Sequence, residues 1–82
     1  MILFSRKVAP LRITLKDGTK VGEIWRYPRR QGYGLQLDGV YWRHDGTSST
    51  RGGRSAKAFR TLREARIAAI DAALDHLAPR RR

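Results

Sequence analysis

The groups with which this chain could do acid–base, metal or nucleophilic chemistry are few. There are two histidines, His44 and His76, and no cysteine. The lack of cysteine removes disulfides, thiolate catalysis and cysteine-based metal sites together. His44-Asp45 has the form of an oriented general base, but a base needs a nucleophile or second carboxylate within reach. None accompanies it at what reads as a strand end. His76 falls near the end of a helical segment, where a cation favours the helix dipole. The "GYG" of Gly32–Gly34 is followed by no helix N-terminus, so it is not a phosphate loop. The reading is therefore of a binding protein: no catalytic residue, no metal and no cofactor is expected.

What the chain does carry is charge. Eighteen Lys and Arg stand against seven Asp and Glu, a net charge of +11 in 82 residues. Such an excess repels itself, and a polyanion is the usual reason it is kept. The charge is also uneven. Residues 1–58 hold twelve basic and four acidic side chains, a balance of +8, and Arg80–Arg82 add three. The stretch between, "FRTLREARIAAIDAAL" with Asp75, sums to zero. A neutral helix and a cationic remainder point to the remainder as the binding surface.

The elements that must position those cations follow from periodicity. Leu11, Ile13 and Leu15 alternate with Arg12, Thr14 and Lys16, the period of a half-buried strand. Asp17-Gly18 has the composition of a two-residue type I′ turn, and the return strand runs to about Tyr27. "PRRQG" breaks it. Leu35 and Leu37 then alternate, Asp38-Gly39 turns, and Val40–His44 returns. Residues 47–58 are polar, basic and rich in Gly and Ser, so they read as a flexible basic loop. Thr61 with Glu64 forms a capping box, spaced alanines with Leu62, Ile70 and Leu74 continue the helix, and Pro79 ends it. The expected fold is α+β, an antiparallel meander of three to four strands packed on one C-terminal α-helix. One domain spans 11–77, with 1–10 a basic lead-in or edge strand and 78–82 a basic tail.

Alternation assigns faces. With a two-residue turn, residue 13 lies opposite 22 and 11 opposite 24. Leu11, Ile13, Ile24, Leu35, Leu37 and Trp42 then face the helix, while Arg12, Lys16, Trp25, Tyr27, Tyr41 and Arg43 face away. A three-residue loop with a bulge would slip the register by one and turn Trp25 and Tyr27 into the core. The sequence leaves both registers open. On the helix, Glu64, Asp71 and Asp75 fall on the back, opposite Leu62, Ala69 and Ala73, where they would repel a phosphate backbone. The alanine-rich helix also offers a dimer seam, and the oligomeric state stays undetermined.

The helix entry resembles a known family. Phe59, Thr61, Glu64, Ala65, Ala68, Ala72 and Ala73 match the spacing that ends the plant ethylene-response-factor type of DNA-binding domain. The same sheet-plus-helix design occurs in phage integrase arm-binding domains. The resemblance implies a sheet that enters the major groove, backed by its helix, and a phage or bacterial setting for related small proteins. The matching positions are structural and carry over no DNA contact.

Taken together, these features predict a nucleic-acid-binding protein, with duplex DNA expected ahead of RNA. Phosphate contacts are assigned to Arg12, Lys16, Arg26, Arg29, Arg30, Arg51, Arg54 and Lys57. Base or sugar contacts are assigned to Trp25, Tyr27, Tyr41 and Arg43. The rival reading is a phage- or plasmid-type protein-binding module, an inhibitor or accessory factor whose basic face occupies an acidic or nucleic-acid site on a partner protein. The apolar run in "MILFSRKV" is short for a signal peptide, and no segment approaches the roughly 20 apolar residues of a membrane span. A cytoplasmic location and no membrane partner are expected.

Overall fold

The computed structural model of the protein describes residues 2–29, 31–51 and 58–76, with Asp75 and His76 described by backbone alone. Among the described residues six strands precede one helix: β1 (Ile2–Phe4), β2 (Leu11–Leu15), β3 (Lys20–Arg26), β4 (Tyr33–Leu37), β5 (Val40–Trp42), β6 (Ser48–Ser49) and α1 (Leu62–His76). The strands form one antiparallel sheet in the order β1-β2-β3-β4-β5-β6, so each pairs with its neighbours in sequence. The α+β class and the meander agree with the pattern. The sheet has more strands than the three to four expected, and the additions are its edges. β1 is the edge strand foreshadowed in the lead-in. β6 lies inside the stretch read as a flexible loop, which is corrected here for Ser48–Ser49. Two polar residues have no alternation to betray a strand; pairing with β5 makes them one.

The register of the first hairpin is reached by an unexpected route. Leu15 donates its N–H to the Thr19 carbonyl at 2.8 Å, and Gly18 donates back to the Leu15 carbonyl at 2.9 Å. The loop is therefore Lys16-Asp17-Gly18, three residues with Gly18 at φ 94°, and not the expected two-residue turn. That loop alone would slip every later side chain to the other face. A bulge cancels it: Ile13 pairs with Gly22 while Thr14 pairs with Lys20, leaving Val21 as the extra residue. The Val21 carbonyl is satisfied by the Asp38 N–H at 2.7 Å. Beyond the bulge Leu11 pairs with Ile24, as a plain two-residue turn would have arranged.

The same chemistry recurs at the turn between β5 and β6. Arg43 donates to the Thr47 carbonyl at 3.0 Å, Gly46 donates to the Arg43 carbonyl at 3.1 Å, and Gly46 has φ 87°. "KDGT" and "HDGT" are thus two copies of one loop. In each the Asp Oδ1 accepts the backbone N–H of the Thr two residues on, at 2.9 Å in both. This bond, with the Thr19 side chain, holds the Asp17 carboxyl below its ordinary pKa. The Asp38-Gly39 pair in "LDGV" behaves differently. Both residues take positive φ, 54° and 79°, and Leu37 pairs directly with Val40. That is the two-residue type I′ turn.

The core lies between the sheet and α1. Ile13, Ile24, Leu35 and Leu37 are its largest fully buried side chains, all on the helix-facing side of β2, β3 and β4. Against them α1 sets Ala65, Ala69, Ala72 and Ala73, all buried, and it packs chiefly on β4. Alanine has no atoms beyond Cβ, so the helix backbone can approach closely and leave the volume to strand residues. At the helix start the Thr61 Oγ accepts the Glu64 N–H at 3.1 Å, and the Glu64 carboxylate reaches back to the Arg60 N–H at 3.3 Å. The capping box is formed, displaced by one residue on its return arm. Phe59 bridges Tyr33 with two backbone bonds of 2.8 and 2.9 Å. It thereby seats α1 on the part of β4 that β5 is too short to cover.

Candidate nucleic-acid interface

No element covers the other face of the sheet among the described residues, and its middle is aromatic. Trp25 pairs with Gly34 and alternates with buried Ile24, so its side chain projects away from the helix. A Cβ placed on Gly34 would lie 2.2–2.6 Å from three atoms of the indole ring. The indole therefore lies across the bare glycine backbone of β4, and only glycine admits it there. Tyr27 and Tyr41 meet the indole steeply, with ring centroids 5.9 and 6.0 Å away and planes at 76° and 75°. All three rings are half-buried. Edge-to-face contacts of this kind are worth about 0.5–1.5 kcal/mol each. They fix the rings without a covering layer and leave ring surface open to solvent.

Cations surround this cluster unevenly. Antiparallel connections alternate between the two ends of the sheet. One end gathers the 5–10 connection, the Pro28–Gly32 turn and the 43–47 turn. Arg6, Lys7, Arg29 and Arg43 lie there against Asp45, with Arg12 and Trp25 close by on the strands. At the opposite end Lys16 and Lys20 are balanced by Asp17 and Asp38. An open groove of about 370 Å³ runs beside the indole, lined by Ser5, Arg6, Pro10, Arg12, Glu23 and Trp25. Glu23 is the one carboxylate on the front of the central strands. It forms an exposed ion pair with Lys20 at 3.2 Å, a contact that contributes little to stability.

The residues assigned from sequence fall into four groups. Arg12, Trp25, Tyr27 and Tyr41 share the open face, as expected. Arg43 joins them half-buried, with Nη2 donating to Ser49 Oγ at 2.8 Å and Nη1 to Thr47 Oγ1 at 3.4 Å. Lys16, Arg29 and Arg51 are exposed in turns or just past an edge strand, and Arg29 takes φ 59° at its tip. Arg26 does not belong with them. It pairs with Tyr33 and shares the alternation of Gly22 and Ile24, so it sits on the helix side of the sheet end. Arg30, Arg54 and Lys57 lie outside the described residues, as do the tail and the side chains of Asp75 and His76. Arg6 and Lys20 were not singled out from sequence. Their signal was the edge pairing of β1 and the bulge in β3, neither of which alternation reveals.

Among the described residues no group of His, Asp and Glu is placed to hold a metal ion, and no helix is long and apolar enough to cross a membrane. Comparisons with protein-family models, with curated proteins and with solved structures give no match.

Proposed function

We propose that the protein binds nucleic acid, duplex DNA in the first instance, on the open face of its sheet. The observation that carries this reading is the front itself: an indole held flat on Gly34 between two tyrosines, beside a groove flanked by Arg6 and Arg12. Aromatic faces stack on bases or pack on sugars, while guanidinium groups bond phosphates and guanine edges. The net charge of +11 supplies long-range attraction. A major groove about 12 Å wide admits two or three strands spaced about 4.8 Å apart. Base contacts would therefore centre on β3 and β4 through Trp25, Tyr27 and Tyr41. Phosphates would meet Arg12, Arg29 and Arg43 at the cationic end and Lys16 at the other. This mode agrees with the resemblance to sheet-reading DNA-binding domains, in which the helix stays behind.

Fluorescence anisotropy with duplex DNA across a salt series tests the proposal. With about five phosphate contacts the log–log slope is near −4 to −5, a roughly 500-fold loss of affinity from about 50 to about 200 mM salt. A flat curve over that interval overturns it. Single-stranded DNA and RNA of the same length decide the ligand class, since an aromatic sheet face also suits unpaired bases. Tight capture of a protein that survives nuclease treatment, with no salt-dependent nucleic-acid binding, would favour the protein-binding module instead.

A further inference from the structure

The helix turns its bulkiest apolar side chains the wrong way for the core. Ile67, Ile70 and Leu74 are 49%, 40% and 62% exposed, while Ala65 and Ala69 are fully buried. At about 100° per residue the three fall within about 60° of one another, opposite Ala65 and Ala72. The sequence pattern foresaw acids on this back face. Glu64 and Asp71 are indeed exposed there, but they flank an apolar strip instead of replacing it.

The spacing of the strip is that of a coiled-coil seam. Steps of three and four put Ile67 and Leu74 at position a of a heptad and Ile70 at position d. Arg66 then takes position g and Asp71 position e. When two such helices pair in parallel, position g of one faces position e of the next heptad in the other, five residues on. Arg66 would meet Asp71 of a second copy, and the two-fold axis makes that contact twice. Antiparallel pairing would instead set e against e, bringing Glu64 of one copy against Asp71 of the other. In the single chain the Arg66 guanidinium lies 5.0 Å from the Phe4 ring centroid on β1, so pairing with Asp71 of a second copy exchanges that contact for an ion pair. Overall charge selects the same surface. A chain of net charge +11 repels its own copy wherever cations dominate, whereas on α1 Arg63 and Arg66 balance Glu64 and Asp71; Arg63, at position d before Ile67, meets its own copy at the N-terminal end of the seam and is the one like-charge contact there. The helix is already ordered by the sheet, so association need not bear the cost of folding it.

We propose that the back of α1 is a homodimer interface, in which two copies pair their helices in parallel through Ile67, Ile70 and Leu74, with Arg66 and Asp71 pairing across the seam. This does not depend on the proposed ligand. It does orient the ligand surface: the two open sheet faces point away from each other, one on each side of the dimer.

Sedimentation equilibrium of the full chain tests it, from about 10 µM to about 1 mM. The expected mass rises from that of one 9.4 kDa chain toward twice that value. A wild-type chain that stays at 9.4 kDa throughout overturns the proposal. Ile70→Glu is expected to stay monomeric with an unchanged circular dichroism spectrum, because its site is exposed; dimerisation as strong as wild type overturns the seam. Asp71→Arg, which sets Arg against Arg66 of the other copy, is expected to weaken the dimer roughly tenfold, and adding Arg66→Asp restores it. An unchanged dimer in the single variant, or no rescue in the double one, overturns the parallel pairing.

Discussion

The two faces of the sheet are built by one alternation and end in opposite conditions. Behind, Ile13, Ile24, Leu35 and Leu37 are sealed by alanines of α1. In front, the intervening positions carry Arg12, Glu23, Trp25, Gln36 and Tyr41, and nothing among the described residues lies over them. The rear is stabilised by removing apolar surface from water, at about 25 cal/mol per Å². The front must keep three large rings in place without that help. It does so laterally: the indole rests on glycine backbone and the tyrosines brace its edges. A face arranged this way stays rigid and accessible together, which is what a recognition surface needs. The back of α1 is a third case, where branched apolar residues are exposed with no bracing of their own.

The contrast can be broken from either side. The largest effect is expected at the rear. Ile24→Ala removes a fully buried side chain and should cost about 2–5 kcal/mol of unfolding free energy. Chemical denaturation measures it, and a small domain has only about 5–15 kcal/mol to lose. The fraction that remains folded should bind as before. Trp25→Ala should show the reverse weighting. Lost edge contacts cost about 1–3 kcal/mol of stability, while affinity for the nucleic acid falls by about 1–3 kcal/mol, roughly 5- to 150-fold. Anisotropy at constant salt separates the two, and unchanged affinity would make the aromatic cluster purely structural. Arg12→Gln is the smallest. Stability should stay within about 0.5 kcal/mol, while the log–log salt slope should become less negative by about 0.9, as for one lost phosphate contact.

Turn chemistry marks how far the sequence could be read. Three Asp-Gly pairs look alike, yet Asp38-Gly39 closes a two-residue turn and the other two close three-residue loops. The difference lies in the residue that follows. Thr19 and Thr47 donate their N–H groups to the preceding Asp carboxylates, which keeps those Asp residues out of positive φ. Val40 pairs with Leu37 instead. Only polar residues follow the Asp45-Gly46 turn, so nothing in the sequence pattern marks β6 beyond it. Arg26 has the charge of a phosphate contact, but its parity with Ile24 sets it on the helix side of the sheet.

The amino-acid sequence alone determined the class of fold, the capped helix with its alanine face, the segregation of charge and the identity of most front-face residues. These depend on local properties: period, turn composition and side-chain type. Which way Trp25 points was different. It depended on a loop of one length and a bulge elsewhere cancelling each other, and a bulge is fixed by pairing between strands, not by any property of Val21. The edge strands and the exposed Ile67–Ile70–Leu74 strip were also decided by tertiary packing, because each is defined by what lies, or does not lie, beside it.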